Sequence, residues 1–314
     1  MTHGRNVFIG GCDRSGTTMI ASMIGGHSQI ACLPESHFIQ EFAETPLPPA
    51  QLLPKILNHR RFELWKLGLE EGTVQRLSAL PNFATLVAEL AKIYCRQQGC
   101  ESVLTWVEHA PRNVGSFLRL KEQFPHARFI HVIRDGRAVA ASWLDQDWGP
   151  RHVITVADTW ALRIAQGLAA EFAIPDRVLR IHYESVVADP EAAMRKVAAF
   201  IGVEFEREML AARGFALPSH SRKTHELLTG ETQDGVGVSR ERTETWRHKL
   251  TSRQIELFEQ RTGDLLPSLG YGLTTTSPPG PTRSESIGML WAEFFERAKN
   301  IPVRNRRHGF RLFR

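Results

Sequence analysis

Residues 10–24 read GGCDRSGTTMIASMI, directly behind the short apolar run NVFI. Gly11, four intervening residues, Gly16 and then two hydroxyl residues have the outline of a loop that wraps a phosphate. A strand, a glycine-rich turn and a helix in that order present backbone N–H groups and a helix N-terminus to an anion. Gly10, Gly11 and Gly16 permit close backbone approach, Ser15, Thr17 and Thr18 add hydroxyl donors, and Arg14 puts a guanidinium in the loop. A nucleoside-triphosphate loop needs Lys after its second glycine, and Thr17 stands there. The expected chemistry is binding of a phosphate-bearing ligand with Arg14 as the cation. The alternative is an ordinary glycine-rich turn between a strand and a helix.

The segment DRSGTTMI resembles the 5′-phosphosulfate loop of the sulfotransferases that use 3′-phosphoadenylyl sulfate (PAPS), in which a basic residue precedes Ser-Gly-Thr-Thr. Arg14 fills that place. The family usually has Pro where this chain has Asp13, an acid that must point away from an anion or pair with Arg14. A second block, FIHVIRDGRAVAAS (129–142), resembles the family's 3′-phosphate motif. The resemblance implies that Arg134 and Ser142 recognise the 3′-phosphate through charge-assisted hydrogen bonds. The alternative for Arg134 is an ion pair with Asp135 or a nearby helix; Arg137 is read as a helix cap or a partner of Asp135. Two further segments resemble the family more loosely. IHYESVVADPEAAMRKVAAFIGV (181–203) sets Tyr183 near the nucleotide, or as a core tyrosine at a strand end. SRERTETWRHKL (239–250) offers Arg240 as a further phosphate contact, with Arg242 and Arg247 as rivals, each alternatively a solvated surface arginine. The resemblance spans roughly residues 6–272.

Sulfuryl transfer to a hydroxyl needs a base for the acceptor proton and donors for the transferring group, by the same logic as phosphoryl transfer. The resemblance implies Glu35, in CLPESHFI, as that base, with a raised pKa in a dry site. His37 is the competing base, since imidazole titrates near neutrality, and an exposed turn glutamate is the bland alternative. WVEHAPRNV (106–114) resembles a segment in which the family places Lys beside the sulfuryl group; His109 stands there, with Glu108 as its orienting neighbour, or else as a polar strand-end histidine. No metal is expected.

These residues need elements to hold them. Apolar, β-branched runs at Asn6–Gly10, 102–108, 127–134 and 177–184 alternate with helical patterns at 17–24, 83–97, 113–123, 137–146, 152–172 and 191–201. That alternation predicts an α/β fold, a P-loop-like central parallel sheet flanked by helices, with ligands at the carboxyl ends of its strands. One sulfotransferase domain is expected over 1–273. Within it, 36–100 form a mostly helical acceptor-side region and 216–245 a loop covering the nucleotide. TTTSPPGPTR (274–283) is a linker by composition, and 284–314 carry an amphipathic helical stripe and a basic tail.

The chain has 314 residues, 42% hydrophobic and 23% charged, an ordinary globular composition. Residues 281–314 carry eight Lys and Arg against three acids, an excess equal to the whole chain's net charge of +5. The basic character therefore belongs to the tail, and nucleic acid is not expected as a partner. The tail is expected to pack on the domain, to make a homodimer or to touch a membrane surface peripherally. Four cysteines without metal or redox spacing, and a first apolar run too short for a leader, set the expectation of a cytoplasmic protein. Two rival functions stand beside the transferase. One is an ATP- or GTP-dependent kinase using Asp135 as its metal carboxylate; the other is a non-catalytic nucleotide-binding module.

Overall fold

The structure, a computed structural model, describes residues 6–99, 105–146, 148–211, 241–275, 279–283 and 285. The chain divides into two compact units: residues 1–134 with 162–243, and 135–161 with 244–314. The first unit holds a five-stranded sheet: β1 (Val7–Gly11), β2 (Ile30–Cys32), β3 (Thr105–Glu108), β4 (Arg128–Ile133) and β5 (Val178–His182). Its order is β2-β3-β1-β4-β5, and every pairing is parallel.

Alternate residues of each strand enter two separate cores, as a sheet covered on both faces requires. Val7, Ile9, Val107, Ile130, Val132 and Ile181 face one core with the helices Thr17–Ile24 (α1), Tyr183–Ala188 and Pro190–Ile201. Phe8, Trp106, Phe129 and Val178 face the other, with the helices Pro49–Leu57, Phe83–Gln97 and Phe117–Gln123. Phe83–Gln97 shows why these segments become helices. Asn82 accepts a hydrogen bond from Thr85 N at 2.9 Å as its cap, and Phe83, Leu86, Val87, Leu90, Ala91 and Tyr94 recur at helical spacing on the buried side.

The strands expected at 127–134 and 177–184 are Arg128–Ile133 and Val178–His182, and 113–123 is a 3₁₀ turn (Pro111–Ser116) followed by a helix. Only Thr105–Glu108 of the expected strand 102–108 lies among described residues. β2 was not expected; a three-residue strand carries too little periodicity to stand out.

The second unit contains the helix Gly136–Leu144 (α2), the first part of Val153–Ala173, and the helices Trp246–Lys249 and Ser252–Thr262. Its centre is Arg137, 2% exposed. The guanidinium donates to Asp135 through Nε (3.0 Å) and Nη2 (2.8 Å), and through Nη1 to Glu259 (2.7 Å) and the Gly272 carbonyl (2.8 Å). It lies 4.1 Å from the Trp246 ring centre. Glu259 in turn accepts from the backbone and hydroxyls of Thr274 and Thr275, which ties the end of the segment 241–275 to this core.

Candidate functional site

In the first unit the residues singled out by their chemistry all follow a strand's carboxyl end. Arg14 and Ser15 follow β1, Glu35 and His37 follow β2, His109 follows β3, Arg134 follows β4 and Tyr183 follows β5. β1 is central, with the chain leaving to β2 and β3 on one side and to β4 and β5 on the other. That is the switch point where open parallel sheets bind ligands.

The loop after β1 is shaped by close approach. A Cβ on Gly10 would lie 2.3 Å from the Val114 backbone nitrogen. Gly16 has φ 92, and a Cβ there would lie 2.5 Å from the Tyr183 ring. Arg14 holds φ 68, a left-handed conformation uncommon for a side-chain-bearing residue. Gly16 caps α1, whose first turn has no acidic side chain to offset its positive end. Thr17 is buried in that turn, Thr18 half-buried beside it, and the Ser15 hydroxyl is buried with no partner among the described residues.

Arg134 donates from Nη1 to the Arg14 carbonyl at 2.9 Å and lies 4.3 Å from the centre of the Tyr183 ring. Tyr183 is thus both a buried residue and a platform beside the loop. Burial and the charge of Arg134 both hold the Arg14 guanidinium below its ordinary pKa. Two cations brought together behind a helix N-terminus raise the potential there for an anion.

Asp13 has an electrostatic account that its position in the loop did not suggest. Burial raises its carboxyl, and Arg112 and Arg163 oppose that rise ahead of any other group. Arginines from the turn Pro111–Ser116 and the helix Val153–Ala173 thus offset part of the cost of burying the acid, and its carboxyl remains raised.

On the β2–β3 side, Glu35 hydrogen-bonds His37 Nε2 and lies 3.5 Å from Arg61 Nη1. Burial pushes the Glu35 carboxyl up, but the His37 bond, Arg61 and His109 together bring it down to about 2. The raised pKa expected for this residue is therefore corrected: His37, Arg61 and His109 together outweigh desolvation. His109 is 2% exposed, and burial holds its imidazole below the ordinary value, against Glu108 and Glu35. Burial thus disfavours the charged form of this ring.

Glu108 is fully buried. It accepts from Ser36 N (2.9 Å), Ser36 Oγ (3.0 Å) and Ala110 N (3.1 Å), and from Asn113 Nδ2. The reading of Glu108 as a neighbour of His109 alone was too narrow.

Ser142 lies half-buried on α2 in the second unit. Arg137 and Asp135 are committed to the core described above, and Asp135 also caps α2 through Arg137 N at 2.8 Å. That occupies the carboxylate a kinase would need for its metal. Arg247 pairs with Glu244 and stacks on Trp246 at 4.4 Å. Arg240, most of the expected covering loop 216–245 and nearly all of 284–314 lie outside the described residues. Sequence reasoning missed Arg61, Arg112 and Arg163. Arg112 lay inside a quoted segment; Arg61 sits in a turn just before Phe62–Trp65 and Arg163 in the helix Val153–Ala173, with no motif to mark either.

The family described as "Sulfotransferase family" matches residues 6–207. Protein-tyrosine sulfotransferase A of Caenorhabditis elegans is 28% identical over 252 residues, covering 73% of this chain and 60% of that protein. Protein-tyrosine sulfotransferase 1 of Danio rerio is 25% identical over 253 residues, covering 71% and 62%. The chain thus spans about three-fifths of the length of these relatives. Among solved structures, the sulfotransferase domain from the Synechococcus PCC 7002 olefin synthase superposes with a TM-score of 0.57 at 20% identity, over 87% of this chain and 98% of that one. That likeness shares the α/β fold.

Proposed function

The chain belongs to the sulfotransferase family, and on that premise we propose that it transfers a sulfuryl group from PAPS to a hydroxyl of its acceptor. The observation that carries this reading is the Arg14–Arg134 pair at the mouth of a phosphate loop without the Walker lysine. The loop hydroxyls and backbone of Ser15, Gly16, Thr17 and Thr18 hold the 5′ end of the nucleotide. Arg134, backed by Tyr183, meets its 3′-phosphate. The buried Ser15 hydroxyl and the glycine at Gly16 fit this donor set. PAPS supplies an activated sulfuryl group whose leaving oxygen already belongs to a stabilised phosphate, so the reaction draws on positioned donors and no metal.

In the reaction the acceptor oxygen bonds to sulfur as the sulfur–oxygen bond to the nucleotide breaks. The acceptor proton passes to Glu35, while Arg14 and the His109 ring stabilise the oxygens of the moving group. Glu35 is held ionised by His37 in the free protein. An acceptor hydroxyl that displaces His37 leaves burial as the dominant influence and makes Glu35 a stronger base when it is needed.

Binding is tested by thermal shift. PAP, the product nucleotide, should raise the melting temperature in EDTA, and Arg134→Ala should abolish the rise. Stabilisation by Mg-ATP but not by PAP would favour a kinase. PAP binding without sulfated product across peptide, sugar, lipid and small-alcohol acceptors would favour a non-catalytic module.

A further inference from the structure

We propose that Glu108 is a positioning residue that sets Glu35 and His109 against the phosphate-loop strand. The proposal rests on the sulfotransferase reading for what is positioned, and on the geometry of one buried carboxylate for how. All four of its hydrogen-bond contacts among the described residues are donors, so towards them the group acts only as an acceptor. Ser36 immediately follows Glu35, Ala110 immediately follows His109, and Asn113 passes the connection on by donating to the Ile9 carbonyl in β1 at 3.0 Å. One carboxylate therefore joins the segments after β2 and β3, which carry the candidate base and the candidate electrostatic partner, and through Asn113 links both to β1, which leads into the anion loop.

The backbone explains why such a clamp is needed. His37 adopts φ 54, ψ −37, a strained conformation for a residue with a side chain that persists only where its surroundings hold it. On one side Phe38 is fully buried, packed edge-on to Phe62 and tilted against Trp65. On the other, Ser36 is held by both its backbone N–H and its hydroxyl on Glu108. With that hold released, the strained turn relaxes and the Glu35–His37 contact is lost.

Glu108→Gln is a stringent perturbation because the amide cannot reproduce the pattern. With the amide oxygen in the Oε1 place, its NH₂ meets the Asn113 NH₂. Asn113 cannot turn over without setting its own oxygen against the Ile9 carbonyl. With the amide reversed, the N–H groups of Ser36 and Ala110 lose their acceptor. Either arrangement leaves buried donors unsatisfied.

The experiment combines carboxyl-carbon NMR titration of Glu35 with kinetics and PAP calorimetry on the full chain. For Glu108→Gln we expect the Glu35 titration midpoint to rise by about one pH unit or more as the His37 contact loosens. kcat should fall about 10–100-fold, as misplacement on the ångström scale does, with the PAP dissociation constant essentially unchanged. Ser36→Ala, which removes one bond and leaves the carboxylate in place, should move the midpoint in the same direction by less, and serves where Glu108→Gln fails to fold. An unmoved Glu35 midpoint in the folded variant overturns the proposal, as does a loss of turnover matched by an equal loss of PAP affinity. A wild-type protein that turns over no PAPS would instead refute the transferase reading, while the Glu35 titration would still decide the role of Glu108.

Discussion

Replacing His37 with Asn tests the electrostatics of the candidate base. Asparagine tolerates positive φ better than most residues, carries no charge and is shorter than the imidazole that reaches Glu35. The fall of the Glu35 carboxyl from 4.5 to about 2 corresponds to about 3 kcal/mol favouring the ionised form. The His37 hydrogen bond is the largest influence lowering it, and the charge of His37 adds to that; burial, which raises it, is larger than either and survives the substitution. Arg61 at 3.5 Å also remains. His37→Asn should therefore return most of the shift, moving the acid limb of kcat/KM, which reports the free enzyme's base, up by about one to two pH units. The same linkage acts on stability. A carboxyl depressed in the folded state stabilises above its unfolded pKa, and that contribution disappears as pH falls from 4.5 towards about 2. The variant should lack this part of the acid dependence. Initial rates at saturating nucleotide from about pH 2 to neutrality, with urea unfolding over the same range, measure both. Acid limbs that coincide in wild type and variant would refute the reasoning.

Two further substitutions test the scaffold. Arg137→Ala leaves Asp135 and Glu259 buried without their cation and should cost about 3–5 kcal/mol, read as a lowered melting temperature that Arg137→Lys does not restore, since one ammonium cannot repeat the fork of contacts; an unchanged melting temperature would contradict this. Gly10→Ala sets a methyl group against the Val114 backbone, which no rotamer can relieve, so the loss should be at least the about 1–3 kcal/mol typical of an overpacked core; wild-type stability in urea would show that the turn Pro111–Ser116 yields.

Most of the fold was legible because its signals are local and repeated. The β4 run FIHVI and the helix Phe83–Gln97 each carry their own period, and 83–97 matches the expected bounds. In the candidate site, Arg14, His109, Arg134 and Tyr183 could be named because each follows an expected strand within a recognisable segment, and Glu35 from its resembling segment alone. What sequence could not supply was pairing between distant segments. The direction of the Glu35 shift depends on Arg61, which no motif links to it. The balance of Asp13 depends on Arg112 and Arg163, and the role of Glu108 on Ser36, 72 positions away. Arg137 shows the converse: its motif offers a helix cap or a partner for Asp135, the structure has the Asp135 pair, and only Glu259, 122 positions on, was out of reach of the sequence.

The central claim is tested most directly by incubating the full chain with PAPS labelled in its sulfuryl group and a panel of hydroxyl acceptors, beside Glu35→Gln and Arg134→Ala. Sulfuryl transfer predicts labelled product with stoichiometric PAP from the wild type. Glu35→Gln should bind PAP with wild-type affinity and lose turnover, and Arg134→Ala should lose affinity for the nucleotide itself. Wild-type turnover in Glu35→Gln, or undiminished PAP affinity in Arg134→Ala, would contradict the account.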